Sequence, residues 1–370
     1  LFPKQQYKLK LSAPRSLLGM AESRHWILAM SYVDTSFQRN RLAFELYRAL
    51  GGWAPRAEYL TLSWHGVDFG LYYICEKIER SPGRVHLPEA SPERPESSGY
   101  IVKVDWPQPG QAFAKTANTT TDFVIVYPKT KRLTGEQFGF VQRVVNEVDA
   151  RAALIGNDSR LEDVLDFRSF ARYFIVQELS KDLDGYAFSN FMAIDHGRLH
   201  HIAPWDYDLA FGFVCMPQYY RNMYTGELSD GVVGWNVENP RDSAAWIGPD
   251  GWPGGSTIDF GMNRRSLFAH IWRHEGFRIE FAKMWREARR GPLSDDELRR
   301  GVARRSRFIE AAAEHDLRIW QRTQRCAVFD CCDRAAARSF QASVTNLVDY
   351  VVDRAHWIDV HVDDPPNGLR

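Results

Sequence analysis

Two stretches decide how this chain is read: Lys181-Asp182-Leu183-Asp184-Gly185-Tyr186-Ala187-Phe188-Ser189-Asn190 and, further on, Ile202-Ala203-Pro204-Trp205-Asp206-Tyr207-Asp208-Leu209-Ala210-Phe211-Gly212. They hold four aspartates and an asparagine against one lysine, between apolar runs of strand or helix type. A folded chain seldom leaves that much buried negative charge uncompensated, so the sequence predicts a cation at this place.

Between the two stretches, Phe191 to Ile194 and Leu199 to Ile202 read as short strands joined by the tight turn Asp195-His196-Gly197. The acidic segments thus flank a small hairpin. Upstream, Phe170, Tyr173, Phe174, Val176 and Leu179 mark a helix over Phe167 to Leu179. Another helix follows Thr134, an N-cap with Gln137 as capping-box partner, and places Phe138, Val141, Val144, Val145 and Val148 on one face. Downstream, Met216 to Thr257 is rich in Gly, Pro, Trp and Asn and reads as a long ordered loop over the site. Helices are predicted at Ser266 to Arg273, Phe277 to Arg289, Asp295 to Arg322 with Ser294 as N-cap, and Ala335 to His361.

The N-terminal part has a different period. Tyr7 to Leu11 alternates polar and apolar, and Trp26 to Tyr32 is a second run of strand type. A helix is expected next, capped by Asp34, Thr35 or Ser36 and stopped at Gly51-Gly52. Arg39 and Arg41 lie in its first half, against the macrodipole, so they are either solvated or held by a partner elsewhere. Arg56 to Ser63 and Phe69 to Ile78 form a hairpin, Ser81 to Ser98 reads as a linker, and Tyr100 to Val104 and Phe123 to Tyr127 are further strands.

With 370 residues, 44% of them apolar, the chain can bury a sizeable core. Its 47 basic and 47 acidic residues cancel, so no global field points to nucleic acid. No run is long and apolar enough for a membrane span, and no signal-peptide pattern opens the chain. It begins Leu1-Phe2-Pro3 and not with Met, which fits a leader or an upstream segment having been cut away. The 5 cysteines (Cys75, Cys215, Cys326, Cys331, Cys332) have no metal-type spacing. They read as structural or free thiols, with a disulfide from Cys326 to Cys331 or Cys332 as the alternative.

Strands, then a linker, then helices with one hairpin flanked by carboxylates is the layout of a two-lobed phosphotransferase. There one Asp accepts the substrate hydroxyl proton, an amide or hydroxyl a few residues on helps hold a metal, and a second Asp beyond a hairpin chelates it. Asp184, then Ser189 and Asn190, then Asp206 follow that order. Magnesium needs only one or two carboxylates plus phosphate oxygens, so no histidine or cysteine cage is expected. The competing reading has Asp182 and Asp184 capping turns while Asp206 and Asp208 pair with arginines.

Several segments resemble the CotH kinase family, the spore-coat-type atypical protein kinases. They are Tyr7 to Leu11, Ser16 to Gly19, Arg39-Asn40-Arg41-Leu42-Ala43, Gly70-Leu71-Tyr72, Glu76-Lys77-Ile78, Gly99-Tyr100, Lys181 to Gly185 and Pro204 to Gly212, in family order. The resemblance implies an α+β, two-lobed protein-kinase-like fold, with a strand-rich first lobe bearing one helix and a mainly helical second lobe. It implies ATP with magnesium and transfer of the γ-phosphoryl group to Ser or Thr of a secreted or coat protein. Asp184 then matches the catalytic base and Asp206 the metal-binding aspartate, with Asn190 or Ser189 as second metal ligand. On the nucleotide side the expectation is Lys8, with Lys4 and Lys10 as rivals and Glu45 as its possible ion-pair partner, together with Glu76, Lys77 and Trp205. The lobes are expected at 1–105, lacking its first strands, and 106–290, with 291–370 a helical extension of the second. Family members of another kind are surface adhesins, so a non-catalytic surface or coat protein is the alternative.

Overall fold

The computed structural model describes residues 3–119, 121–154, 159–182, 185–212, 235, 266–320 and 339–364. The fold is α+β: two antiparallel sheets and, among the described residues, eight α-helices.

The first sheet is built by β1 (Tyr7–Arg15), β2 (Ser23–Met30), β3 (Ala57–Trp64) and β4 (Val67–Glu76), in the order β1-β2-β4-β3. Helix α1 (Arg39–Ala49) lies between β2 and β3 in the chain and packs Leu42, Phe44, Leu46 and Tyr47 into the core. Its N-cap is Gln38, which makes no side-chain cap hydrogen bond. Asp34 caps nothing in the ordinary sense. Its carboxylate instead accepts the backbone N–H groups of Ser36 and Arg39 at 2.9 Å each and pairs with the Arg39 guanidinium at 2.5 Å. Arg39 is therefore buried with a partner, and Arg41 lies over the Tyr59 ring and near Glu45.

The second sheet runs β6-β7-β5-β8-β9, from β5 (Tyr100–Val104), β6 (Phe113–Lys115), β7 (Asp122–Tyr127), β8 (Asn190–Asp195) and β9 (Arg198–Ala203). Strand β5 falls within the segment assigned from sequence to the first lobe, yet its hydrogen bonds join it to β7 and β8. The short β6 sits in the polar stretch before residue 121, where three residues are too few to show a period.

Helix α2 (Gly135–Ala153) starts at the capping box of Thr134 and Gln137. A short α3 (Leu161–Val164) precedes α4 (Phe167–Ser180), which is buried along most of its length and capped by Asp166. Then come α5 (Leu267–Arg273), α6 (Glu275–Arg289), α7 (Asp295–Ile319) and α8 (Phe340–His361), of which α7 is capped by Ser294 as expected. One continuous apolar core runs from Ile27 of β2 through α4 to Val362.

Helix α7 is tied to the first sheet and to α1. Its Asp316 is buried and accepts from the backbone N–H of Leu71 at 2.8 Å and from the Lys4 ammonium. Its Arg305 pairs with Glu45 of α1. Helix α8 reaches under α4, where Arg354 donates to the Glu178 carbonyl at 2.7 Å and pairs with its carboxylate at 3.3 Å, both side chains fully buried.

Among the described residues no helix is long and apolar enough to cross a membrane. Cys75 is a buried free thiol; the other four cysteines and the Met216 to Thr257 loop, save Trp235, lie outside the described residues.

Candidate active site

The two acidic stretches meet at the open end of the β8–β9 hairpin, where Phe191 pairs with Ala203, and the chain knits them together with backbone and buried polar contacts. Helix α4 ends at Lys181, whose left-handed φ of 45° turns the chain toward Asp182. The Phe211 N–H donates to the Ser180 carbonyl at 2.7 Å, linking the end of α4 to the end of the second stretch. Gln177 bridges both: its amide donates to the Asp182 carbonyl at 2.8 Å and accepts the Tyr207 hydroxyl at 3.0 Å. Tyr173, one turn earlier, donates to the Gly185 carbonyl. Tyr186 donates to Glu178 at 2.7 Å, the carboxylate that Arg354 neutralises.

Gly185 is required here. A Cβ at that position would stand 1.9 Å from the Gln177 side-chain nitrogen, so only hydrogen lets the loop pass this close to α4.

From the other side, α1 holds the second stretch. The Asn40 side-chain oxygen accepts the Tyr207 N–H at 2.8 Å, and Arg39 Nε donates to the Ala210 carbonyl at 2.8 Å. Both belong to the Arg39-Asn40-Arg41 segment singled out from the sequence. Asp206 is exposed, with φ 68°, and Ser189 has φ 57°. With Lys181 and Phe211, whose φ is 54°, that makes four non-glycine residues in left-handed backbone at one site, a local strain of about 1–3 kcal/mol each, held by the surrounding contacts.

Charge accumulates at this place. Burial, then Cys75 and after it the carboxylates of Asp208 and Asp206, hold the Tyr73 phenol of β4 well above the usual tyrosine range. Burial and then Asp182 do the same to Tyr207. The side-chain oxygen of Asn190 is buried and has no hydrogen-bond partner among the described residues, while its nitrogen donates to the Phe188 carbonyl at 2.9 Å. An orphaned, buried amide oxygen is a hard oxygen donor of the kind a divalent cation takes. Asp184 itself lies outside the described residues, between Asp182 and Gly185.

Next to this cluster, where the two sheets face each other, lies a cavity of about 560 Å³. Its walls carry five lysines, Lys8, Lys77, Lys103, Lys129 and Lys131, together with Trp205, and no Asp or Glu among the described residues lines it. Lys77 stands 3.6 Å from Glu79 and Lys103 2.6 Å from Asp105, while Lys8, Lys129 and Lys131 make no ion pair among the described residues. Partial burial, then the charges of Lys77 and Lys8, lower the Lys129 pKa below the ordinary lysine value. Trp205 is half-buried, stacked on Phe44 with ring centres 5.9 Å apart and edge-on to Phe191. It lines the cavity and also packs against the core.

The structure thus brings Lys8, Lys77 and Trp205 to one cavity. Glu76 is elsewhere. It is 2% exposed and its carboxylate oxygens accept the backbone N–H groups of Ala21 and Arg56 at 3.0 Å each, because neighbours on an extended strand point to opposite sides. Lys4 is consumed by its buried pair with Asp316, and Glu45 by Arg305. Sequence reasoning passed over Gln177 and Glu178, and named Asn40 only as part of a family-like segment; the visible signal was a Gln-Glu pair on the apolar face of α4 and an Asn at the start of α1, polar groups where a core face should continue.

The chain belongs to the CotH kinase family: the family's model, described as CotH kinase protein, matches residues 1–358. It is also similar to the inner spore coat protein H of Bacillus subtilis (strain 168), with 22% identity over 213 residues, 57% of this chain and 56% of that protein. The alignment therefore spans little more than half the length of that relative.

Proposed function

We propose that this chain is an ATP- and magnesium-dependent protein kinase that transfers the γ-phosphoryl group to Ser or Thr of a protein, with coat-associated or secreted proteins as the acceptors. The observation that carries this reading is the cavity with five lysines and the Trp205 ring beside a carboxylate cluster. Lysines bind phosphates as point charges and an indole face accepts a base.

In this reading Lys8, Lys77 and Lys129 hold the nucleotide phosphates, and Trp205 with Ile27 and Ile78 receives the adenine. Asp206 and Asn190 or Ser189 would hold magnesium; Asn190 fits best, because its buried amide oxygen otherwise wastes an acceptor. Magnesium when bound neutralises phosphate charge and orients it. Asp184 takes the proton of the acceptor hydroxyl, and Gln177, Tyr173 and Asn40 keep the two acidic segments in register. Among the described residues no group of three or more His, Cys, Asp or Glu could hold a metal, and this chemistry does not call for one. The spore-coat relative supports a coat-associated location.

The test is transfer of label from radiolabelled ATP with magnesium to a Ser-rich acceptor or to the chain itself. Asp184→Ala and Asp206→Ala should each lower the rate by about 100-fold or more, as expected for loss of a base or a metal ligand. Equal labelling by wild type and both variants would overturn the reading.

A further inference from the structure

A second cavity, of about 650 Å³, opens between α1 and the first half of α7. Arg48 of α1, Arg290 at the end of α6, and Arg304 and Arg305 of α7 line it, opposed by Glu45 and Glu297. The charges of these six side chains sum to a surplus of positive charge, and the two acids are already used, Glu45 by Arg305 and Glu297 by Arg300 at 3.1 Å. Arg290 and Arg304 are exposed and make no ion pair among the described residues.

Arg305 is the decisive group. It is 5% exposed, its Nε donates to Gln38 at 3.0 Å and one terminal nitrogen to Glu45, but Nη2 is buried with no hydrogen-bond partner among the described residues. A buried guanidinium N–H left unmade costs free energy, which an acceptor in the cavity would recover. Gly301 lies against the same edge: a Cβ there would stand 3.6 Å from Nη1 of Arg305 and 3.9 Å from Nη2. Glycine is disfavoured in mid-helix, and what it provides here is open space at the guanidinium. Burial lowers the pKa of Arg305 and of Arg48, and Glu45 is the main charge opposing that.

We propose that this cavity binds a phosphate monoester dianion carried on a protein side chain. Arginine forks match phosphate oxygens in pairs, whereas the lysine cavity offers only point charges. The apolar part of the wall, Leu42, Leu46 and Leu298 among others, contains no aromatic ring among the described residues, so nothing there stacks a nucleotide base. The choice of a phosphorylated side chain over other dianions rests on the kinase reading, under which the product bears that group; the cationic cavity does not. Through Glu45 and Gln38 the ligand would bear on α1, the helix whose Arg39 and Asn40 hold the Asp206 loop.

Calorimetry on the full chain, without nucleotide or magnesium, tests this with a phosphoserine peptide, its unphosphorylated form and inorganic phosphate. The phosphopeptide should bind, the unphosphorylated peptide about 10-fold or more weaker, and Arg304→Ala and Gly301→Leu should each weaken the phosphopeptide by about 10-fold or more, the worth of one charge-assisted bond. Lys129→Ala should leave it unchanged. Circular dichroism confirms that the variants fold, and Arg304, being exposed, is the safer of the two. No binding by the wild type, equal binding of both peptides, or loss with Lys129→Ala and not with the arginine variant would overturn the proposal. Inorganic phosphate that binds as tightly as the phosphopeptide would overturn the side-chain source. Because nucleotide is absent, a chain that binds the phosphopeptide but labels no acceptor fails the kinase reading alone, and a chain that labels but does not bind fails this inference alone.

Discussion

Asn40, in the first turn of α1, accepts the backbone N–H of Tyr207 at 2.8 Å, so a helix beside the first sheet holds the residue that follows Asp206. Both groups are buried. Asn40→Ala leaves that N–H without an acceptor, and stability should fall by about 1–3 kcal/mol in urea denaturation. Affinity for the magnesium nucleotide should fall with it. Unchanged values of both would show that the contact does not position the loop.

Gly185 passes α4 with no room for a side chain. Gly185→Ala must push the Gln177 amide or the loop aside, at a cost of about 1–3 kcal/mol for overpacking. Because Gln177 bridges both acidic segments, phosphoryl transfer should drop by about 10-fold or more while the thermal transition remains cooperative. A variant with wild-type transfer rate would refute the bridging role.

Arg354 and Glu178 form a fully buried pair under the first acidic segment. Arg354→Met strands the carboxylate and should cost about 3–5 kcal/mol, whereas adding Glu178→Gln should recover part of that loss. Chemical denaturation of the two variants checks the order; a double variant no more stable than Arg354→Met would argue against charge as the cause.

Lys129 has its pKa depressed by partial burial and by Lys77 and Lys8. A depressed lysine is more easily deprotonated in the folded chain than in the unfolded one, so the free chain should gain stability as pH rises toward the ordinary lysine value of 10.5. Nucleotide affinity should move the opposite way, weakening over the same window as the cation is lost. Lys129→Arg should hold affinity to higher pH, and an identical pH profile in that variant would rule Lys129 out of the phosphate site.

His201 is buried against Tyr173, ring centres 3.8 Å apart, and burial holds its pKa well below the ordinary 6.5. The unfolded chain takes up the proton below that pH and the folded chain does not. Stability is therefore present above pH 6.5 and lost below it, by about 1.4 kcal/mol per pH unit for one proton. His274, also depressed by burial, adds to the slope. His201→Phe, among the Phe170 and Tyr173 rings, should flatten the slope between pH 6.5 and 5; an unaltered slope would place the acid sensitivity elsewhere.

Much of the fold could be read from periods and caps. The strand, strand, helix, strand, strand order of the first eighty or so residues, the capping box at Thr134, the hairpin around Asp195-His196-Gly197 and the Ser294 cap all occur as the spacing predicts. These are local features, in which each residue's neighbours in the chain are its neighbours in space. Asp34 shows where that logic stopped: it reads as a helix cap, but a guanidinium five residues on made a better use of its carboxylate.

At the site, composition led to the expectation of a cation near the four aspartates, and the resemblance pointed to Lys8, Lys77 and Trp205, which the fold gathers at one cavity. Glu76 and Lys77 are adjacent in sequence, and only the strand's sidedness sent one to brace backbone amides and the other to that cavity. The roles of Gln177, Asn40 and Arg354 depended on contacts between residues as much as 176 positions apart. No sequence period encodes such pairings, because they are settled by which buried polar group finds its partner when the core closes.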